Sequence, residues 1–107
     1  MTAKRFLVID DDDAFCTALQ RSLTRKGYEV KLANNLDEAR ECCQQYVPNY
    51  AVVDLKIDQE SGLNIIPYLR NRFPDIRMLM LTGYSSIATA VDAIKLGADN
   101  YLQKPAG

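Results

Sequence analysis

The stretch Tyr50-Ala51-Val52-Val53-Asp54, introduced by Pro48-Asn49, decides the fold. A short apolar run bounded by turn formers reads as a strand buried on both faces. Such a strand has no packing reason to end on a carboxylate, because a buried charge is costly unless something pairs with it. The carboxyl ends of strands are where open α/β sheets gather their ligands. Asp54 is therefore read as a functional group.

Working outward, three other apolar runs also end on polar residues. Phe6–Ile9, within a first strand of about Arg5–Ile9, leads into Asp10-Asp11-Asp12-Asp13, and Met78–Leu81 leads into Thr82-Gly83. Tyr101-Leu102 passes through Gln103 to Lys104-Pro105. Helical patterns separate the runs. Phe15, Ala18, Leu19, Ser22 and Leu23 share one helical stripe. Asp13 is its expected N-cap, and Gly27 its stop. A strand at Tyr28–Leu32 follows. Asn35 then caps a helix reaching about Tyr46, with Glu38 as capping-box partner. The loop Leu55–Ser61 leads through Gly62 to a helix with Leu63, Ile66, Leu69 and Phe73 inward. Pro67 implies a late start or a kink there. Strand four is Ile76–Leu81. A helix with Ile87, Ala90, Val91 and Ile94 ends at Gly97, before a fifth strand at Asn100–Leu102.

Strict βαβ alternation with short connections implies one α/β domain, residues 1–107, with a doubly wound five-stranded parallel sheet in the flavodoxin-like order 2-1-3-4-5. That order puts the switch point between strands one and three, so Asp10 and Asp11 come beside Asp54. A closing helix after strand five is the next element of the pattern and is missing from this chain. By crossover handedness it would lie on the face of the first helix. The expected consequence is exposed apolar strand residues, and self-association or swapping.

With 48% hydrophobic and 25% charged residues, the 107-residue chain has the balance of a soluble globular domain. A net charge of −1 excludes the basic footprint of a nucleic-acid binder in these residues. No apolar run approaches the roughly 20 residues of a membrane span, so the cytoplasm is the expected location. The absence of histidine excludes His-based catalysis and a phosphohistidine-carrier role. Cys16, Cys42 and Cys43 form no C-x-x-C pair and read as reduced helix residues.

Carboxylates meeting at one crevice repel one another, and one takes up a proton unless a cation intervenes. An oxygen-only set favours magnesium, which also lets an anionic phosphate donor approach an anionic nucleophile. Phosphoryl transfer then needs positioning and charge neutralisation. Lys104 can supply a positive charge and Thr82 a hydroxyl. Singly, each residue has a simpler explanation. Asp12 and Asp13 suit a helix start, Asp54 an Asx turn, and Tyr101 a half-buried strand.

Val8-Ile9-Asp10-Asp11, Val53-Asp54, Leu81-Thr82-Gly83 and Lys104-Pro105 together resemble the signature of bacterial response-regulator receiver domains. The stretches Asp54-Leu-Lys-Ile…Ser61-Gly-Leu and Leu81–Val91 are most similar to the RegA/PrrA/ActR redox-responding regulators. The resemblance implies that Asp54 is phosphorylated by a sensor histidine kinase. It implies magnesium held by Asp10, Asp11, Asp54 and the Lys56 backbone carbonyl. Thr82 and Tyr101 would be a switch pair, Lys104 a phosphoryl contact, and Pro105 the site of a cis bond. It further implies a transcription-regulating, DNA-binding output module outside this chain, and no enzyme activity beyond self-phosphorylation and self-dephosphorylation.

Two positions depart from the family. Asp58 stands where many receivers have proline, implying a more mobile loop, and Lys56 replaces a smaller polar residue. The Lys56 side chain could shade the phosphoryl group from water. A rival reading takes Asp10-Asp11-Asp12 as the D-x-D of haloacid-dehalogenase-type phosphatases, with Asp10 as nucleophile, Asp12 as acid/base, and Thr82 and Lys104 binding phosphate. The short, capless chain and an unexplained Asp54 oppose it. A pseudo-receiver that only binds a partner is a third reading, and the complete set of motif positions opposes that one.

Overall fold

The computed structural model describes residues 3–83 and 87–104, and of Thr82 and Ile87 only the backbone. Five strands form one parallel sheet: β1 (Arg5–Ile9), β2 (Glu29–Ala33), β3 (Tyr50–Asp54), β6 (Arg77–Thr82) and β7 (Asn100–Gln103). Their spatial order is β2-β1-β3-β6-β7, which is the expected 2-1-3-4-5. The extra labels belong to a small antiparallel ribbon, β4 (Lys56–Ile57) and β5 (Glu60–Ser61), inside the loop after β3.

Alternation along the strands sorts side chains to two faces. Leu7, Ile9, Ala51, Val53, Met78 and Met80 point into the larger core. It is closed by α2 (Leu36–Cys42), a 3₁₀ turn (Gly62–Ile65), α3 (Ile66–Arg72) and α4 (Ile87–Leu96). Val8 and Val52 point to the opposite face and meet Cys16 of α1 (Asp13–Arg25). With side chains buried on both faces, β1 and β3 need the uninterrupted apolar runs seen in their sequence.

Helix boundaries follow local chemistry. Asp12, not Asp13, caps α1, its carboxylate accepting the Phe15 N–H at 3.0 Å. The helix therefore begins with Asp13 in its first turn, where a negative charge suits the dipole. The inward stripe is rotated from expectation: Cys16 is buried, Leu19 and Leu23 are half-buried, and Ala18 and Ser22 are exposed. Asn35 caps α2 through the Glu38 amide at 2.8 Å, while Glu38 reaches back to the Asn34 amide. That helix stops at Cys42, short of Tyr46, whose hydroxyl instead donates to the Phe6 carbonyl between strands. Pro67 falls in the first turn of α3, where its missing N–H has no intrahelical role. The late start it implied is the 3₁₀ turn.

On α4 the buried residue is Ala93, whereas Val91 and Ile94 are 44% and 48% exposed. Half of the apolar pattern thus faces outward. Arg70 secures the opposite end of this region. Its guanidinium donates to the carbonyls of Pro74, Ile76 and Gly97 and to the Asp99 carboxylate, which in turn accepts the Met78 amide at 2.7 Å.

On the α1 face, Leu79 is half-buried and Leu102 is 49% exposed. Together with Phe6 and Tyr50 they border an apolar groove of about 290 Å³. Light scattering of the concentrated chain is expected to show self-association through this face; a strictly monomeric species would contradict that.

Gly62 ties the fold to the site. It is buried, and a Cβ there would fall on the Asp54 carbonyl oxygen and crowd Val53. Gly62→Ala should therefore cost about 1–3 kcal/mol by overpacking, and move the end of β3. Thermal unfolding of the variant measures this, and an unchanged midpoint would show that the contact relaxes freely.

Candidate functional site

Parallel register builds the site. Ile9 pairs with Val53 across β1 and β3, so the next residues, Asp10 and Asp54, sit on neighbouring strand ends about 4.8 Å apart. Asp54 itself pairs with Leu81 of β6, and Thr82 pairs with Gln103 of β7. Lys104 follows directly. The polar residues that terminate four apolar runs thus line one edge of the sheet.

Ligand oxygens of Asp10, Asp11 and Asp54 lie within 4.8 Å of one another. Asp10 and Asp54 are buried, and Asp11 is exposed. Lys104 bridges the buried pair, its Nζ lying 2.7 Å from Asp10 Oδ2 and 3.3 Å from Asp54 Oδ2. The other Asp10 oxygen accepts the Asp12 amide at 3.0 Å. The Lys56 amide points to Asp54 Oδ1 at 3.5 Å, which puts the residue-56 backbone at the crevice while the Lys56 side chain is exposed. Tyr101 is half-buried and packs against the larger core. Thr82 ends β6 in backbone position, but its side chain lies outside what the structure describes. Pro105 lies outside the described residues.

Burial pushes the Asp54 carboxyl above its ordinary range, and the Asp10 charge pushes the same way, only partly offset by Lys104. Burial alone would lower the Lys104 pKa. The hydrogen bond and charge of Asp10, with those of Asp54, outweigh it and leave the ammonium raised. One lysine faces three carboxylates, so the cluster retains an uncompensated negative charge. A hard divalent cation fits that donor set: oxygens only, convergent, one of them open to solvent.

Two contributors escaped the sequence reading. The Asp58 amide donates to Asp11 Oδ2 at 2.6 Å, with Asp58 at φ 58° in the two-residue turn between β4 and β5. A proline could supply neither that N–H nor that backbone angle. The departure at 58 therefore goes with a loop folded as a ribbon and tied to Asp11, rather than the looser loop expected. The second is Phe15, read as a core residue, whose ring lies 4.5 Å from Lys104 Nζ. The cysteines match the inert reading. Burial, reinforced by Asp10, pushes Cys16 up to about 11, and burial with Cys42 nearby does the same for Cys43.

The Asp54 shift has a signed consequence. A carboxyl whose folded pKa is raised favours folding while protonated, and that contribution is lost as pH rises through the folded pKa. Ionised Asp54 therefore strains the metal-free protein at neutral pH. Asp54→Asn is expected to raise the unfolding midpoint at pH 7 in chelator-treated buffer, with the gain shrinking below the ordinary carboxylate range. An equal or lower midpoint at pH 7 would contradict this electrostatic account.

Residues 6–107 match the response regulator receiver domain family. The chain is 42% identical to the photosynthetic apparatus regulatory protein RegA of Rhodobacter capsulatus over 103 residues, covering 96% of this chain and 56% of RegA. It is 45% identical to the acid tolerance regulatory protein ActR of Rhizobium meliloti, covering 96% of this chain and 53% of ActR. The chain thus spans little more than half the length of these relatives. Among solved structures, a Burkholderia pseudomallei response regulator with a phosphorylated aspartic acid, calcium ion and citrate superposes with a TM-score of 0.93 at 51% identity. That alignment covers 97% of this chain and 61% of the other.

Proposed function

The chain belongs to the response regulator receiver domain family of two-component systems, and we propose that it accepts a phosphoryl group on Asp54 from a phosphohistidine of a sensor histidine kinase. In that step an Asp54 carboxylate oxygen attacks phosphorus. The O–P bond forms as the N–P bond to imidazole breaks, and Asp54 becomes an acyl phosphate. The observation that carries this reading is the Lys104 bridge: one ammonium already spans Asp10 and Asp54 at the end of the central strand. It stands where it can meet the incoming oxygens.

Asp10, Asp11, Asp54 and the Lys56 carbonyl would hold magnesium, which would supply charge neutralisation between donor and acceptor. Thr82 and Tyr101 form the switch pair. Phosphate on Asp54 biases two arrangements of the β6 and β7 ends, and α4, with Val91 and Ile94 outward, transmits them. The readout is a transcription-regulating, DNA-binding module outside these residues, acting in the cytoplasm with the kinase. Among the described residues no helix is long and apolar enough to cross a membrane.

The phosphatase reading finds less support. Asp10, its nucleophile, is 2% exposed with both oxygens engaged. Asp12, its acid/base, is occupied as a helix cap.

Intact-mass analysis after incubation with a small acyl phosphate and magnesium separates the two. The wild type should gain one phosphoryl group, Asp54→Asn none, and Asp10→Asn should gain it slowly. Label that survives Asp54→Asn but needs Asp10 would instead establish the phosphatase chemistry. Magnesium at a hundredfold excess over its Kd should also stabilise the wild type by about 2.7 kcal/mol.

A further inference from the structure

The α1 N-terminus, the acidic crevice and Lys104 form a closed circuit of contacts. Asp10 accepts the Asp12 amide at 3.0 Å, and Asp12 accepts the Phe15 amide at 3.0 Å. The Phe15 ring lies 4.5 Å from Lys104 Nζ, and Lys104 returns to Asp10 at 2.7 Å. Capping fixes the backbone of the first helical turn, so the direction of the ring is set by Asp12 rather than by a loop. An ammonium at this distance from an aromatic centroid is attracted by the negative face of the ring, most strongly where water is excluded. The Lys104 side chain is only 14% exposed.

This third contact matters because the other two are contested. A divalent cation at the crevice would compete with Lys104 for the Asp10 and Asp54 oxygens, and transfer would tie one Asp54 oxygen into a mixed acyl-phosphate anhydride. Through both changes the ring, alone among the described partners of Lys104, neither titrates nor binds metal. We propose that Phe15 is a positioning residue for phosphoryl transfer, holding the Lys104 ammonium at the crevice while its carboxylate partners are exchanged for the metal and the phosphoryl group. This rests on Asp54 being the acceptor. It gives a half-buried phenylalanine a role that core packing does not require.

The test replaces Phe15 by leucine, by tyrosine, and by mono-, di- and trifluorinated phenylalanines. These keep the side chain's bulk while the fluorines progressively weaken the ring face. Phosphorylation by a small acyl phosphate with magnesium is timed by intact mass, and proton NMR follows the Lys104 ε-methylene, which the ring face should shift upfield. The rate is expected to fall stepwise with fluorination and about 2- to 30-fold in Phe15→Leu, with Phe15→Tyr restoring it. In a Lys104→Met background the series should be flat. A flat series on native Lys104, with the wild type labelling normally, would make Phe15 a packing residue and overturn the inference alone. No labelling of the wild type at all would overturn the acceptor reading, and this inference with it.

Discussion

Mutual repulsion between carboxylates is the constraint around which this molecule is arranged. Parallel register places Asp10 and Asp54 on adjacent strand ends, and Asp11 completes a cluster that no folded chain would assemble for stability alone. Lys104, arriving from the far edge of the sheet order, answers part of that charge. What remains is a site poised for a divalent cation and an anionic ligand. Burial is the main cause of the raised Asp54 pKa, and the Asp10 charge, only partly offset by Lys104, adds to it.

The scaffold is built to hold these ends still. β1 and β3 are buried on both faces, Gly62 lets the 3₁₀ turn press against the Asp54 backbone, and the Asp58 amide fastens the β4–β5 ribbon to Asp11. Arg70 binds α3, β6 and the residues after α4 into one unit at the opposite end. α4 buries Ala93 and leaves Val91 and Ile94 outside. Outward apolar side chains on a helix anchored at one end suit a signalling surface.

Much of this was legible in the sequence, for identifiable reasons. The strand order followed from strict alternation, and β1 and β3 came out to the residue because continuous apolar runs stop abruptly at acids. Asp10 and Asp54 stood out because each ends such a run, Asp11 because it follows Asp10, and Lys104 because the last run leads to it through Gln103. Helix phase was harder to read. Cys16 replaced Ala18 and Ser22 as the inward residue of α1, since the cap is Asp12 and the helix meets only one side of the sheet. The Asp58–Asp11 bond depends on a backbone N–H and a positive φ, neither of which has a letter in the sequence. Phe15 fitted the helical stripe, so its neighbour across the fold could not be anticipated.

The central claim is that Asp54 is the residue that becomes phosphorylated. Borohydride reduces an aspartyl phosphate to homoserine and leaves free carboxylates untouched, so treating the labelled protein and sequencing its peptides by tandem mass spectrometry locates the acceptor. Homoserine at position 54 alone is the result predicted here. Homoserine at position 10, with position 54 unmodified, would contradict it.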